Sequence, residues 1–286
     1  MNARPTQART FTLIADDYAM TPAVSRGILS LLETGRISGT GAMTNRPSWA
    51  EAARALRDGA NGAELGLHLN LTCGEALTGD SAFAPSAALP KLSKILAQGI
   101  TGSLALPTIE AEIAAQLAEF EQYMGRAPDF VDGHQHAHAM PGVRRALARV
   151  LAARYPQARP WVRDAADSFS AIRARGRYAR KALLLSLLTR PFAAGMRKLG
   201  FRLNKGFSGY SGFDPAGDYA ADFASYLVSP GAAHLIMCHP GEVDDALRAL
   251  DPVTESRRLE LAFFASSRFT EICAASGAMP GRLAPL

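Results

Sequence analysis

Apolar positions along the chain follow two periods, and the two alternate. Leu65, Leu67, Leu69 and Leu71 interleave with Gly66, His68 and Asn70, which predicts a strand over 64–71 with one greasy face and one small or polar face. Short β-type runs predict further strands over 11–15, 39–43, 129–132, 161–163, 201–204 and 233–238. Between them, helical spacing predicts helices over 22–34, 49–58, 108–124, 143–154, 177–199, 218–227 and 256–267. Alternating strands and helices make a mainly parallel sheet. About seven such pairs suit a closed or nearly closed α/β barrel better than a small open sheet. We expect a single catalytic barrel domain over 1–286.

Local signals mark the element ends. Thr21 followed by Pro22 supplies a cap and a first-turn proline, and Pro47-Ser48 precedes the second helix in a similar manner. Gly35 and Gly200 stand where a left-handed residue closes a last helical turn. Segment 73–106, rich in Gly, Pro, Ala and Ser, carries no sustained period and predicts a loop excursion of the kind that covers barrel sites.

Charge and composition narrow the classes open to the chain. With 286 residues, 48% hydrophobic and 20% charged, the composition is that of a globular protein. No apolar run reaches the roughly eighteen residues of a membrane span, and 1–17 has no signal-type apolar core. We therefore expect a soluble, cytoplasmic protein. Three cysteines without paired spacing suggest neither a disulfide framework nor a zinc ribbon. The net charge of +5 is unevenly placed, with ten Lys or Arg and no Asp or Glu between 168 and 213. This predicts a basic helical insertion over 173–205. No interleaved aromatics or nucleic-acid motif accompany it, so no nucleic-acid partner is expected. Its apolar strip at 182–188 has three readings: packing on the barrel, a homodimer face, or rest on an anionic membrane surface.

Polar residues then fall where such barrels do chemistry. Asp16-Asp17 ends the first strand, Thr44-Asn45 the second, and His68 and Asn70 close the third. Asp132 through His138 follow the fourth, Arg163-Asp164 the fifth, and His239 the last. All sit at carboxyl ends, the rim on which barrel active sites are built. Two adjacent carboxylates at the edge of a buried strand repel each other, and a cation relieves that repulsion. Strand alternation sends neighbours in different directions, so one aspartate can ligate a metal while the other serves as base.

Three of the six histidines lie within five residues, at 134, 136 and 138. Spaced by two in an extended segment, they would point the same way. One carboxylate and two imidazoles hold a divalent ion while leaving room for water and substrate. Asp17, His68 and His134 are the first choice of ligands, with His136 or His138 able to replace His134. Asp16 is then the candidate base. His239, before a Pro-Gly turn, is the candidate proton donor, although it could equally cap that turn. Arg163 is expected to orient substrate or steady a carboxylate, or else to pair with Asp164 or Asp167. Asn45, Asn70, His136 and His138 complete the expected substrate contacts. Imidazole ligands favour zinc or another transition metal.

These motifs, Ile14-Ala15-Asp16-Asp17-Tyr18, 66–72, 132–138 and Cys238-His239-Pro240-Gly241, resemble the YdjC-like carbohydrate deacetylases over about 11–270. That family includes chitooligosaccharide and hopanoid-biosynthesis deacetylases. The resemblance implies a distorted TIM-like barrel, one divalent metal usually given as magnesium, and removal of an N-acetyl group from an amino sugar. It carries the ligand role to Asp17, His68 and His134 and the base role to Asp16. A lipid-linked N-acetylglucosamine is the alternative substrate. Tyr18 and Gln135 depart from residues common in the family and are not expected to ligate. Two rivals remain: a metal-dependent phosphoesterase, told apart by phosphate rather than acetate release, and a non-catalytic sugar-binding barrel, which would have no use for a spare carboxylate.

Overall fold

The computed structural model describes residues 9–285. In chain order the elements are β1 (Arg9–Tyr18), α1 (Pro22–Glu33), β2 (Gly39–Ala42), α2 (Trp49–Gly59), β3 (Glu64–Leu69), α3 (Leu92–Thr101) and α4 (Leu106–Met124). There follow β4 (Phe130–Gly133), α5 (Val143–Arg154), β5 (Trp161–Val162), α6 (Phe169–Arg175), α7 (Ala179–Lys198), β6 (Phe207–Ser208) and α8 (Tyr219–Tyr226). The chain continues with β7 (Leu235–Cys238), α9 (Asp245–Leu250), α10 (Glu255–Ala265), α11 (Ser267–Ser276) and β8 (Ala278–Pro280).

Seven strands run parallel in the order β5-β4-β3-β2-β1-β7-β6, and β8 pairs with the first residues of β1. The sheet curls until its edges nearly meet. Across the gap, Val162 donates its N–H to the Arg202 carbonyl at 2.9 Å, and Lys205 donates to Ala233 at 2.9 Å. This is the nearly closed barrel expected from the alternation of periods, in the distorted TIM-like form that the family resemblance implies. The strand expected over 201–204 is reduced to a single bridge between Leu203 and Val162, and the sixth strand lies at 207–208 instead. Asn204 accounts for the difference. Its side chain accepts from Asp164 N–H at 2.7 Å and donates to the Asp164 carbonyl at 2.9 Å, taking groups a ladder would need.

Alternation sorts the core into two clusters. Leu13 and Ala15 of β1 face the surrounding helices, while Ile14 joins Phe130, Trp161, Phe207, Leu235 and Met237 in a separate cluster inside the curl. Phe130 stacks on Trp161 at 4.5 Å between ring centres, and Trp161 Nε1 donates to the buried Glu64 at 3.0 Å. Gly66 makes room for this stack, because a Cβ there would lie 2.4 Å from the Phe130 ring.

The helix ends behave as the sequence suggests at Thr21, whose side chain accepts from Val24 N–H at 3.3 Å. Gly35 and Gly200 both take positive φ just beyond their helices. Ser48 does not cap; its hydroxyl donates to the Ala19 carbonyl at 2.7 Å. The excursion at 73–106 is not purely loop, since it holds α3. The helix expected over 177–199 is α7, preceded by the short α6; α9, α11 and β8 had no sequence-based counterpart. No described helix is long and apolar enough to cross a membrane.

Gly66→Ala is expected to destabilise the fold by about 1–3 kcal/mol through overpacking against Phe130. Urea denaturation checks this; an unchanged midpoint would show that the interior can yield there.

Candidate active site

The site begins with a fault in β1. Ile14 and Ala15 pair with Gly39 and Thr40, but Tyr18 pairs with Ala42, so three steps along β1 match two along β2. The extra residue is a bulge, and Asp17 takes a left-handed backbone with φ 71°. Simple alternation does not survive there. The bulge brings both Asp16 and Asp17 to the wall of one cavity.

Asp17 Oδ1 lies 2.8 Å from His134 Nδ1 and 3.3 Å from His68 Nε2, and its Oδ2 accepts from Arg257 at 2.7 Å. Asp16 is held differently. Both of its oxygens accept from Arg163, at 2.7 and 2.6 Å, and Oδ2 stands 3.8 Å from His239 Nε2. Arg163 also pairs with Asp132 Oδ2 at 2.5 Å, while Asp132 Oδ1 meets His68 Nδ1 at 2.7 Å. Gly41 lets β3 and β4 deliver that last pair, since a Cβ there would crowd His68 and Asp132 at 3.0 and 3.1 Å. Arg257 continues the chain to Asp251 at 3.2 Å.

Burial by itself would push these carboxyls up, and the cations outweigh it. Arg163, with His68 and His239, holds Asp16 well below the ordinary carboxylate range. His134 and Arg257 do the same for Asp17. Burial would likewise push His68 down, but Asp132 and Asp16 lift it to about 10. His239 goes the other way: burial dominates the nearby acids, and its imidazole falls to about 4.

The donor set fits a divalent cation. Ligand atoms of Asp17, His68 and His134 lie within 4.8 Å of one another, and all three side chains are buried. The paired network contains four carboxylates, on Asp16, Asp17, Asp132 and Asp251, against two guanidiniums, on Arg163 and Arg257. The guanidiniums leave two of those charges to be met, in part by the protonated His68. With Asp132 accepting from Nδ1, His68 turns its other nitrogen toward Asp17, the orientation found where a carboxylate supports a metal-bound histidine. Two imidazoles and a carboxylate suit zinc or another transition metal as well as magnesium.

The cavity measures about 380 Å³. Around the acidic cluster it is walled by apolar side chains including Leu92, Leu185, Phe213, Met237, Leu250 and Val253, with Lys181 from α7. The expected excursion and basic insertion thus both reach the site. A larger groove of about 890 Å³ near Thr34, Phe269 and Met279 contains no carboxylate or imidazole, so size alone does not mark the chemistry.

The remaining expectations divide. His136 lines the cavity, packed edge-on against Phe207 and Tyr210. Burial and Arg163 hold it well below the ordinary histidine range, and its Nδ1 finds no partner among the described residues. His138, Arg163, Asn45 and Asn70 do not line the cavity. The segment after β4 is a tight turn, with Gln135 and His136 at φ 53° and 57°, so the three histidines diverge. His138 turns into the core beside Phe192, its Nε2 3.1 Å from the Arg163 carbonyl. Arg163 is fully enclosed by its two aspartates rather than by Asp164 or Asp167. Asn70 accepts from the N–H groups of Thr72 and Cys73 and donates to Asn45, which in turn holds the Glu75 carbonyl. The two asparagines shape the loop beside the cavity.

Asp132, Arg257 and Glu260 were absent from the expected set. The last two carried a signal: they interrupt the buried stripe of α10 at Ser256, Arg257, Glu260, Phe263 and Phe264. An arginine and a glutamate on a core-facing stripe demand partners.

The family model for YdjC-like protein matches residues 10–275. The chain belongs to the YdjC-like family. Mouse "Carbohydrate deacetylase" is 32% identical to this YdjC-like chain over 144 residues, covering 49% of it and 46% of the relative. "Chitooligosaccharide deacetylase" of Escherichia fergusonii is 31% identical over 135 residues, covering 47% and 52%. The match therefore spans about half the length of these curated relatives. A crystal structure from Enterococcus faecalis V583, named for cellobiose-phosphate cleavage, covers 96% of the chain and 97% of its own at a TM-score of 0.70 and 21% identity. That likeness is one of fold.

Four histidines give the metal-free protein an acid-sensitive window. Burial lowers His138, His234 and His239 to about 4, and holds His136 well below the ordinary histidine range. Below 6.5 the unfolded chain binds protons that these folded imidazoles refuse, so stability falls as pH drops from 6.5 toward 4. His68, raised, opposes this only near pH 6.5, and Glu260, raised from 4.5 to about 7, opposes it across the window by holding a proton that the unfolded carboxyl gives up, so the net fall is that of the four histidines less about one group. Each of the four contributes at most about 1.4 kcal/mol per pH unit there. Denaturant midpoints measured across the window check this, and a flat profile would refute it.

Proposed function

We propose that the chain is a metal-dependent hydrolase that removes an N-acetyl group from an amino sugar or oligosaccharide and releases acetate. One observation carries this reading: Asp17, His68 and His134 converge in a cavity with a second carboxylate beside them and an uncharged imidazole within 4 Å of it. The names of relatives over half the chain support the same chemistry.

When bound, a divalent ion held by Asp17, His68 and His134 supplies Lewis-acid polarisation of the amide carbonyl and acidifies water. Asp16, kept ionised by Arg163, accepts a proton from the attacking water. His239, uncharged at rest and 3.8 Å from Asp16, takes up that proton and hands it to the departing amine. Arg163 keeps Asp16 oriented while Asp132 fixes the His68 ring. His136 lines the cavity and packs beside the sugar. A spare carboxylate beside a complete ligand set favours turnover over mere sugar binding.

The apolar wall of the cavity favours a second reading, in which the sugar carries a lipid-like aglycone. On α7, Leu184 and Leu187 face outward between the exposed Arg180 and Arg190, a pattern suited to an anionic membrane surface.

Purified protein loaded with magnesium, zinc or cobalt is expected to release acetate from chitobiose. Asp17→Asn and His68→Ala should each lower turnover by about 10³-fold or more and reduce bound metal, on the scale of a lost catalytic ion. Full turnover with normal metal content in either variant would exclude the ligand assignment. In parallel, a lipid-linked N-acetylglucosamine should be turned over with a lower KM than chitobiose if the apolar wall binds an aglycone; equal KM values would remove the second reading.

A further inference from the structure

The bulge in β1 has a consequence at β7. Ladder pairing between the two strands ends at Ala15 with Cys238. His239 is the next residue, and no strand acceptor meets its N–H. Glu260 of α10 supplies one: its Oε2 accepts the His239 N–H at 2.6 Å. The carboxylate is almost completely enclosed, at 1% exposure, with the Tyr219 side chain beside it. Tyr219 is held in turn by edge contacts with Phe263 and Phe264.

Little else fixes His239. Its Nε2 stands 3.8 Å from Asp16, its Nδ1 has no partner among the described residues, and its ring makes one edge contact, with Phe213 at 5.1 Å. The one hydrogen bond that His239 makes among the described residues therefore enters through the main chain. One turn earlier on the same helix, Arg257 grips Asp17. Helix α10 thus reaches the site at two points three residues apart, one on a proposed ligand and one on the proposed proton carrier. The second point is unusual in its chemistry. Glu260 is a buried carboxylate with no ion pair among the described residues, a costly choice for a position that merely fills space. Burial pushes it up to about 7, against the His239 N–H, Tyr219 and Arg257, which lower it, and with Asp16 raising it.

We propose that Glu260 is a positioning residue that holds His239 at its working distance from Asp16. The inference rests on the deacetylase reading for its kinetic test but not for its spectroscopic one. Groups that face Glu260 and must be followed with it are Tyr219 and Tyr226 of α8, Cys238 and His239 at the end of β7, Arg257 of α10 and Asp16 of β1.

Glu260→Ala, Glu260→Gln and Tyr219→Phe are compared with the unaltered, metal-loaded enzyme. Glu260→Ala is expected to lower kcat about 10–100-fold, the scale of weakened acid–base catalysis, with KM and metal content nearly unchanged. Glu260→Gln, whose amide oxygen still accepts the His239 N–H, should recover most of that loss. Tyr219→Phe, a milder change, should give a small fall in kcat in the same direction and remains informative if the alanine variant folds poorly. Proton NMR of the His239 ring without substrate is the independent readout: its midpoint should rise toward the ordinary histidine range in Glu260→Ala and stay put in Glu260→Gln. An alanine variant with unaltered kcat and an unmoved His239 midpoint would overturn the proposal, as would a glutamine variant as impaired as the alanine. Absence of acetate release from the unaltered enzyme would instead defeat the deacetylase reading, leaving the NMR result to decide the role of Glu260.

Discussion

Four carboxylates crowd the end of this barrel, and the need to neutralise them away from water organises everything around them. Asp16, Asp17, Asp132 and Asp251 reach the same region from β1, β4 and the segment after α9. Uncompensated burial of one carboxylate costs several kcal/mol, and of four far more than a domain's net stability. Arg163 and Arg257 answer part of that demand, each bridging two aspartates. Removing one member of such a buried pair typically costs about 3–5 kcal/mol, because its partner is left charged and dry. What the guanidiniums leave unanswered is the attraction for a cation among Asp17, His68 and His134. The fold thus spends stability to gather a carboxylate and two imidazoles into a set that could hold a cation.

Much of this was legible in the chain before any coordinates. The alternation of Leu65, Leu67, Leu69 and Leu71 fixed the phase of β3, and with it the side on which His68 appears. The carboxyl ends of the strands located the cavity, because parallel barrels gather their strand ends on one rim. Asp17, His68 and His134 could be chosen because each is a polar residue just beyond or within an apolar run. What failed was geometry that breaks the period. Equal parity at 134, 136 and 138 holds only for an extended chain, and two successive left-handed residues turned that segment into a tight corner. Likewise nothing in Asp16-Asp17 announces a bulge, since aspartate accepts positive φ without the glycine that would have signalled it. Arg257 and Glu260 escaped for another reason. Arg257 lies 240 residues from Asp17 and Glu260 meets a main-chain N–H rather than a charged side chain, so only their place on the buried stripe of α10 betrays them.

The bulge also explains why two adjacent aspartates of one kind meet different fates. Asp16 gives both oxygens to Arg163, which fixes its plane and leaves Oδ2 facing His239. Asp17 gives one oxygen to Arg257 and keeps the other among two imidazoles. A carboxylate gripped through both oxygens is poorly free to turn toward a metal, whereas one gripped through a single oxygen presents the other as a ligand. The proposed division between base and ligand therefore rests on which arginine each aspartate meets. Exchanging the two residues' partners would exchange their suitability, although the side chains themselves are identical. Chemistry at this rim is decided less by the acids that β1 carries than by the cations which β5 and α10 bring to them.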